Sequence, residues 1–162
     1  MAIVDGLLFI FTLAAALGCG LMAGLFFAFS ISVMKALARL PSAEGIAAMQ
    51  SINVAIINPV FLAVFLGTAA ACVVVMTASL LRWHDPGAIY LLIGGGLYLV
   101  GSLLVTLAFN VPKNEALASV APADPDSASL WTDYLSKWTA WNHVRAAAAL
   151  AAAASFSMAL SY

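Results

Sequence analysis

The sequence predicts an all-α membrane protein, a bundle of four transmembrane helices with a short extra amphipathic helix between the first and second spans. Three observations carry this. Hydrophobic residues make up 65% of the 162-residue chain and charged residues 8%, against about a quarter charged in soluble domains. The mean hydropathy is +1.08. The apolar residues gather into four runs, at about 6–38, 60–81, 88–109 and 130–160, each long enough for the ~20 helical residues that cross a bilayer. One transmembrane domain, residues 1–162, accounts for the chain.

The first run, Gly6 to Ala38, exceeds what a bilayer needs and is expected to tilt or extend beyond it. Ala16, Gly20, Gly24, Ala28 and Ser32 recur along it at every fourth residue. Such a small-residue face lets a helix backbone approach closely, either within the fold or in a homo-oligomer. Lys35 and Arg39 close the run. Pro41-Ser42 then restarts the chain, with Ser42 as the expected N-cap and Glu44 in the first turn of a helix over 42–57. Ile46, Met49, Gln50, Asn53 and Ile57 line one stripe of that helix.

Asn58-Pro59 ends or kinks it before the second run. Arg82-Trp83-His84-Asp85-Pro86-Gly87 makes a polar turn on the opposite membrane face. The third run carries Gly94-Gly95-Gly96 and Gly101, which imply close helix contacts. Pro112, within Asn110-Val111-Pro112-Lys113-Asn114, is expected to end it, a loop to follow over 115–129, and the fourth helix to begin near Ser129. Both termini then share one face with Arg82. Lys35, Arg39, Lys113, Lys137 and Arg145 lie toward the other, which the positive-inside rule places in the cytoplasm of a multi-pass protein of the bacterial inner membrane.

The chemistry concentrates in Trp131–Arg145, WTDYLSKWTAWNHVR, which holds three of the four tryptophans and one of the two histidines. At helical spacing, Trp131, Tyr134, Trp138, Trp141, Asn142 and Arg145 fall within an arc of roughly 100°. His143 and Lys137 project from its flanks. An ionisable residue at membrane depth marks a candidate site. Arg145 offers a fork of donors to an oxyanion, and His143 can move a proton near neutral pH. The competing reading is a snorkelling arginine within an ordinary aromatic belt.

A net charge of −1 and the lack of a Lys/Arg run argue against a nucleic-acid partner. His84 and His143 fall on opposite faces, and Cys19 and Cys72 sit singly in apolar runs, so no metal site is expected. Neither a phosphate loop nor a nucleophile elbow is present, and no tightly bound cofactor is expected.

SVMKAL at 32–37, AAMQSINVAIINPVF at 47–61, NVPKNEAL at 110–117 and WTDYLSKWTAWNHVR at 131–145 resemble the successive signatures of the anthrone oxygenase-like family of small integral membrane proteins. The resemblance spans nearly the whole chain and implies cofactor-independent oxidation by O2 of a flat, lipophilic aromatic substrate at the membrane boundary. It nominates Asn110, Asn114, Trp138, Asn142, His143 and Arg145. In the chemistry that follows, His143 is the base, Arg145 and Asn142 stabilise the enolate oxygen, and Trp138, Trp141, Tyr134 and Trp131 form the wall. Asn110, Asn114, Gln50 and Asn53 position the ring system. The rival readings are a non-catalytic protein that binds a quinone, a lipid or a partner helix through the same face, and, less favoured, a transporter subunit.

Overall fold

The computed structural model describes the backbone of residues 2–162 and side-chain surroundings from Asp5 onward. The described residues are helical and contain no strand. Helix α1 (Ala2–Ala28) runs through a wide π-helical turn, π1 (Phe29–Val33), into α2 (Met34–Leu37). Helix α3 (Ser42–Ile56) leads to α4 (Pro59–Leu81). Helix α5 (Ala88–Tyr98) continues through two more wide turns, π2 (Leu99–Leu104) and π3 (Thr106–Asn110), into α6 (Val111–Ala118), and α7 (Ser127–Ala159) closes the chain. Among the described residues three continuous helices are long and apolar enough to cross a membrane: Asp5–Leu37, Pro59–Leu81 and Ala88–Ala118. In α7 the polar aromatic stretch occupies the first half, and the alanine-rich remainder is correspondingly shorter.

Helix α1 packs on α4 and α7, and α5 packs on the same two, so that each of these four elements touches two others. Their shared core holds Cys19, Met22, Phe65, Cys72, Val75, Tyr98 and Phe156, with Ala149 and Ala152 of α7 completely buried. Alanine at those two positions lets neighbouring backbones come close. In lipid such contact, rather than escape from water, is what joins helices. Hydrogen bonds between helices add to it: the Tyr98 hydroxyl donates to the Phe65 carbonyl at 3.0 Å, Ser79 to Ala88 at 2.6 Å and Ser155 to Tyr90 at 2.8 Å. Leu17, Leu21, Leu66, Val73, Val100 and Leu150 point outward as an apolar coat suited to acyl chains.

A second core caps one end, where Met34, Leu37, Ile46, Met49 and Leu117 surround Trp131, Tyr134 and Trp138. Here α3 lies against α6 and α7. Gln50 Nε2 ties α3 to the end of α6 by donating to the Leu117 and Val120 carbonyls at 2.8 and 3.0 Å. Lys113 and Lys137 flank Asp133 at 3.5 and 2.5 Å at the same end. At the far end Arg82 bridges Asp5 at 2.7 Å and Asp85 at 2.8 Å, and Tyr162 stacks on Tyr90. Both ends of the chain therefore meet the α4–α5 turn.

Several local expectations change. The N-cap of α3 is Pro41, with Ser42 already helical and no side-chain cap. Asn58 does cap α4, accepting from Phe61 N at 3.0 Å with Pro59 in the first turn. Pro112 does not end the third helix. The wide turn π3 finishes at Asn110, so Pro112 enters at the second position of a renewed helical segment, where no backbone N–H is needed. The helix then runs to Ala118 and shortens the expected loop, and α7 begins two residues early at Ser127. Of the small-residue face, Ala16 is half-buried while Gly20, Gly24, Ala28 and Ser32 are exposed, and no atom lies near a Cβ built on either glycine. The chain's own helices leave that face open.

Candidate functional site

Asn142 and Arg145 stand one helical turn apart on the inward face of α7, where they are 0% and 6% exposed. Asn142 Nδ2 donates to the Phe26 carbonyl at 2.6 Å and to Ser30 Oγ at 2.7 Å. The Phe26 carbonyl lies one turn before π1, so the amide ties α7 to α1 just ahead of the wide turn. The Asn142 Oδ1 thereby faces away from α1 and accepts from Arg145 Nη2 at 2.5 Å.

Arg145 Nη1 donates to Thr106 Oγ1, in π3, at 3.1 Å. Its guanidinium carbon lies 4.3 Å from the centre of the Phe26 ring and 5.2 Å from that of Trp138, within reach of both π faces. Its Nε has no partner. Among the described residues no carboxylate pairs with it. It is a buried cation held by neutral groups.

This cation forms part of the wall of a cavity of about 110 Å³. The apolar walls are Leu25, Phe26 and Phe29 from α1 and π1, Met49, Ile52 and Ile56 from α3, and Phe61 from α4. The polar wall is Asn53, Thr106, Asn114, Asn142 and Arg145, with Trp138 between them. Asn53 Nδ2 is buried and unpartnered. Asn114 Oδ1 accepts from Tyr134 Oη and from Trp138 Nε1, both at 2.8 Å, which fixes the tryptophan's plane at the cavity edge. Ile57 lines the cavity yet is 67% exposed, so the opening lies at the α3–α4 junction.

The structure thus brings Trp138, Asn142, Arg145, Asn114 and Asn53 around one cavity. Tyr134 stands behind it, and Trp131 stacks on Tyr134 at a centroid distance of 5.6 Å, deeper in the second core. Gln50 is occupied at the end of α6. Asn110 is 1% exposed and donates to the Trp138 carbonyl at 3.2 Å, so it steadies α7 and does not line the cavity.

Two expected members point elsewhere. Trp141 turns outward and stacks on Phe109 at 3.7 Å between ring centres. His143 is exposed and lines a separate apolar groove with Gly20, Ala23, Gly24 and Phe27 of α1. The reason is helical geometry: His143 lies one residue past Asn142, about 100° around the helix, and Arg145 lies back beneath Asn142. His143 therefore shares no cavity with Arg145 in one chain. Thr106 and Ser30, partners of Arg145 and Asn142, carry the clearest sequence signal that was passed over, being hydroxyls near the ends of apolar runs.

The family model described as anthrone oxygenase matches residues 59–155. The chain belongs to the anthrone oxygenase family. The match covers the α4–α7 portion, and so includes Thr106, Asn114, Trp138, Asn142 and Arg145, the polar wall except for Asn53. The walls given by α1 and α3 lie outside it. No curated protein and no solved structure matches the chain. The region that marks this chain as an anthrone oxygenase relative is therefore the region that supplies the buried cation and most of its neighbours.

Proposed function

We propose that the protein oxidises a flat, lipophilic aromatic substrate with O2 in the Arg145 cavity, without a bound cofactor. The observation that carries this reading is the buried guanidinium with no carboxylate partner, set in the wall of an aromatic-lined cavity. In an apolar surrounding a charge is worth far more to a developing oxyanion than it is in water. An anthrone-type ring system that loses a C–H proton becomes an enolate. That electron-rich anion can pass one electron to O2, and the radical pair recombines to a carbon-bound peroxide. Loss of water completes the balance, CH2 plus O2 giving C=O plus H2O.

Arg145 would hold the enolate oxygen, with Asn142 and Thr106 fixing the guanidinium. Phe26, Phe29, Phe61 and Trp138 would cover the ring faces and limit water. Val54, Ile57 and Val60 form an exposed apolar patch around the cavity opening, which suits entry of the substrate from the bilayer. We read all four long helices as membrane-spanning, in an inner membrane, with the cavity at the cytoplasmic boundary.

The test is oxygen uptake and product mass on incubating the purified protein in detergent with a series of anthrones. The expected result is uptake with one oxygen atom incorporated, abolished in Arg145→Ala and kept in His143→Ala. Tight binding of the ring compounds without uptake would instead make this a quinone- or lipid-binding protein.

A further inference from the structure

The cavity has a positive charge and donors but nothing to take up a proton. Helix α3 offers Asn53, π3 offers Thr106, α6 offers Asn114 and α7 offers Asn142, while α1 and α4 present apolar groups such as Phe26 and Phe61. None of these side chains is a base near neutral pH. The nearest titratable neighbour, Tyr134, spends its hydroxyl proton on Asn114 Oδ1 and is thereby held as a donor. Glu44 of α3 and Glu115 of α6 do not line the cavity, Asp133 of α7 is engaged by Lys113 and Lys137, and His143 opens onto a different groove. Yet the guanidinium keeps a free Nε donor, and a buried charge without a counter-ion is costly.

Resting on the reading that this cavity holds the substrate, we infer that the site selects the ionised form of an acidic hydroxy- or keto-aromatic and leaves its deprotonation to the solvent at the membrane boundary. The O–H or C–H bond breaks on entry, the electron pair stays on the ligand and is shared with Arg145, and the proton leaves to water. The anion completes the charge that the fold omits. Acidity of the ligand takes the place of a protein base, so weakly acidic or alkylated analogues of the same shape are rejected.

The test uses the full-length protein in detergent with a hydroxynaphthoquinone, whose anion absorbs in the visible, and with its O-methyl ether. The anion band is titrated against pH with and without protein. The expected result is a midpoint lowered by about one pH unit or more, which corresponds to roughly tenfold preference for the anion. The ether should bind at least tenfold more weakly, and the shift should vanish in Arg145→Gln. An unmoved midpoint, or equal binding of the ether by the unmutated protein, would overturn the inference whether or not the variant folds. Oxygen uptake from anthrones alongside an unmoved midpoint refutes this inference alone, and a shifted midpoint without uptake refutes the oxygenase reading alone.

Discussion

An Asp in place of Asn142 would put a carboxylate oxygen where the amide oxygen now lies 2.5 Å from Arg145 Nη2. The guanidinium would then have an internal counter-ion. Anionic ligands should bind at least tenfold more weakly, about 1.4 kcal/mol, and should lose more than the neutral ether, which shares any cost of the second carboxylate oxygen facing the Phe26 carbonyl. The titration of the naphthoquinone anion reads this directly, and unaltered anion affinity would remove uncompensated charge as the basis of binding. Thr106→Val keeps the shape but withdraws the acceptor from Arg145 Nη1. Stranding a buried charged donor costs about 1–3 kcal/mol or more, so thermal unfolding in detergent should begin several degrees lower. At this scale the sequence was half legible. Asn142 and Arg145 share a face by simple helical spacing, so their partnership is readable without coordinates. Which flank of α7 meets α1 through Asn142, and which through His143, depends on how the helices are rotated against each other, and spacing carries no such information.

Helices α5 and α6 show the same limit for whole elements. The apolar run and its glycines announce a span, but the wide turns Leu99–Leu104 and Thr106–Asn110 that carry it through Pro112 leave no local mark. The second of them is tied to α7 by side chains, as the Arg145 donation to the Thr106 hydroxyl illustrates. The glycine triplet likewise hides two different roles. A Cβ on Gly94 would sit 2.9 Å from a ring carbon of the buried Phe156, whereas one on Gly96 meets open space. Gly94→Ala should therefore cost about 1–3 kcal/mol through overpacking of α5 on α7. Gly96→Ala should be neutral or stabilise the helix by about 0.5–1 kcal/mol. Parallel thermal melts in one detergent check the contrast, and an equal loss in both variants would contradict the packing of Phe156 against Gly94.

For the molecule as a whole, composition points to a membrane, and the length of the apolar runs points to helices rather than strands as what crosses it. What composition leaves open is direction. Lys35, Arg39, Lys113 and Lys137 belong to the end that holds the cavity, and Arg82 at the far end is matched by Asp5 and Asp85. The positive-inside rule counts Lys and Arg and gives acidic residues little weight, so the expected cytoplasmic end is the one that holds the cavity. Native Cys19 and Cys72 are 0% exposed, so they stay silent toward a membrane-impermeant thiol reagent. Single cysteines introduced at exposed His84 and at exposed Ala123, in the loop between α6 and α7, then report the two ends separately. In intact bacterial cells His84→Cys should label and Ala123→Cys should label only after the membrane is opened. The reverse pattern would turn the cavity outward, and a proton released on binding would then leave to the external medium.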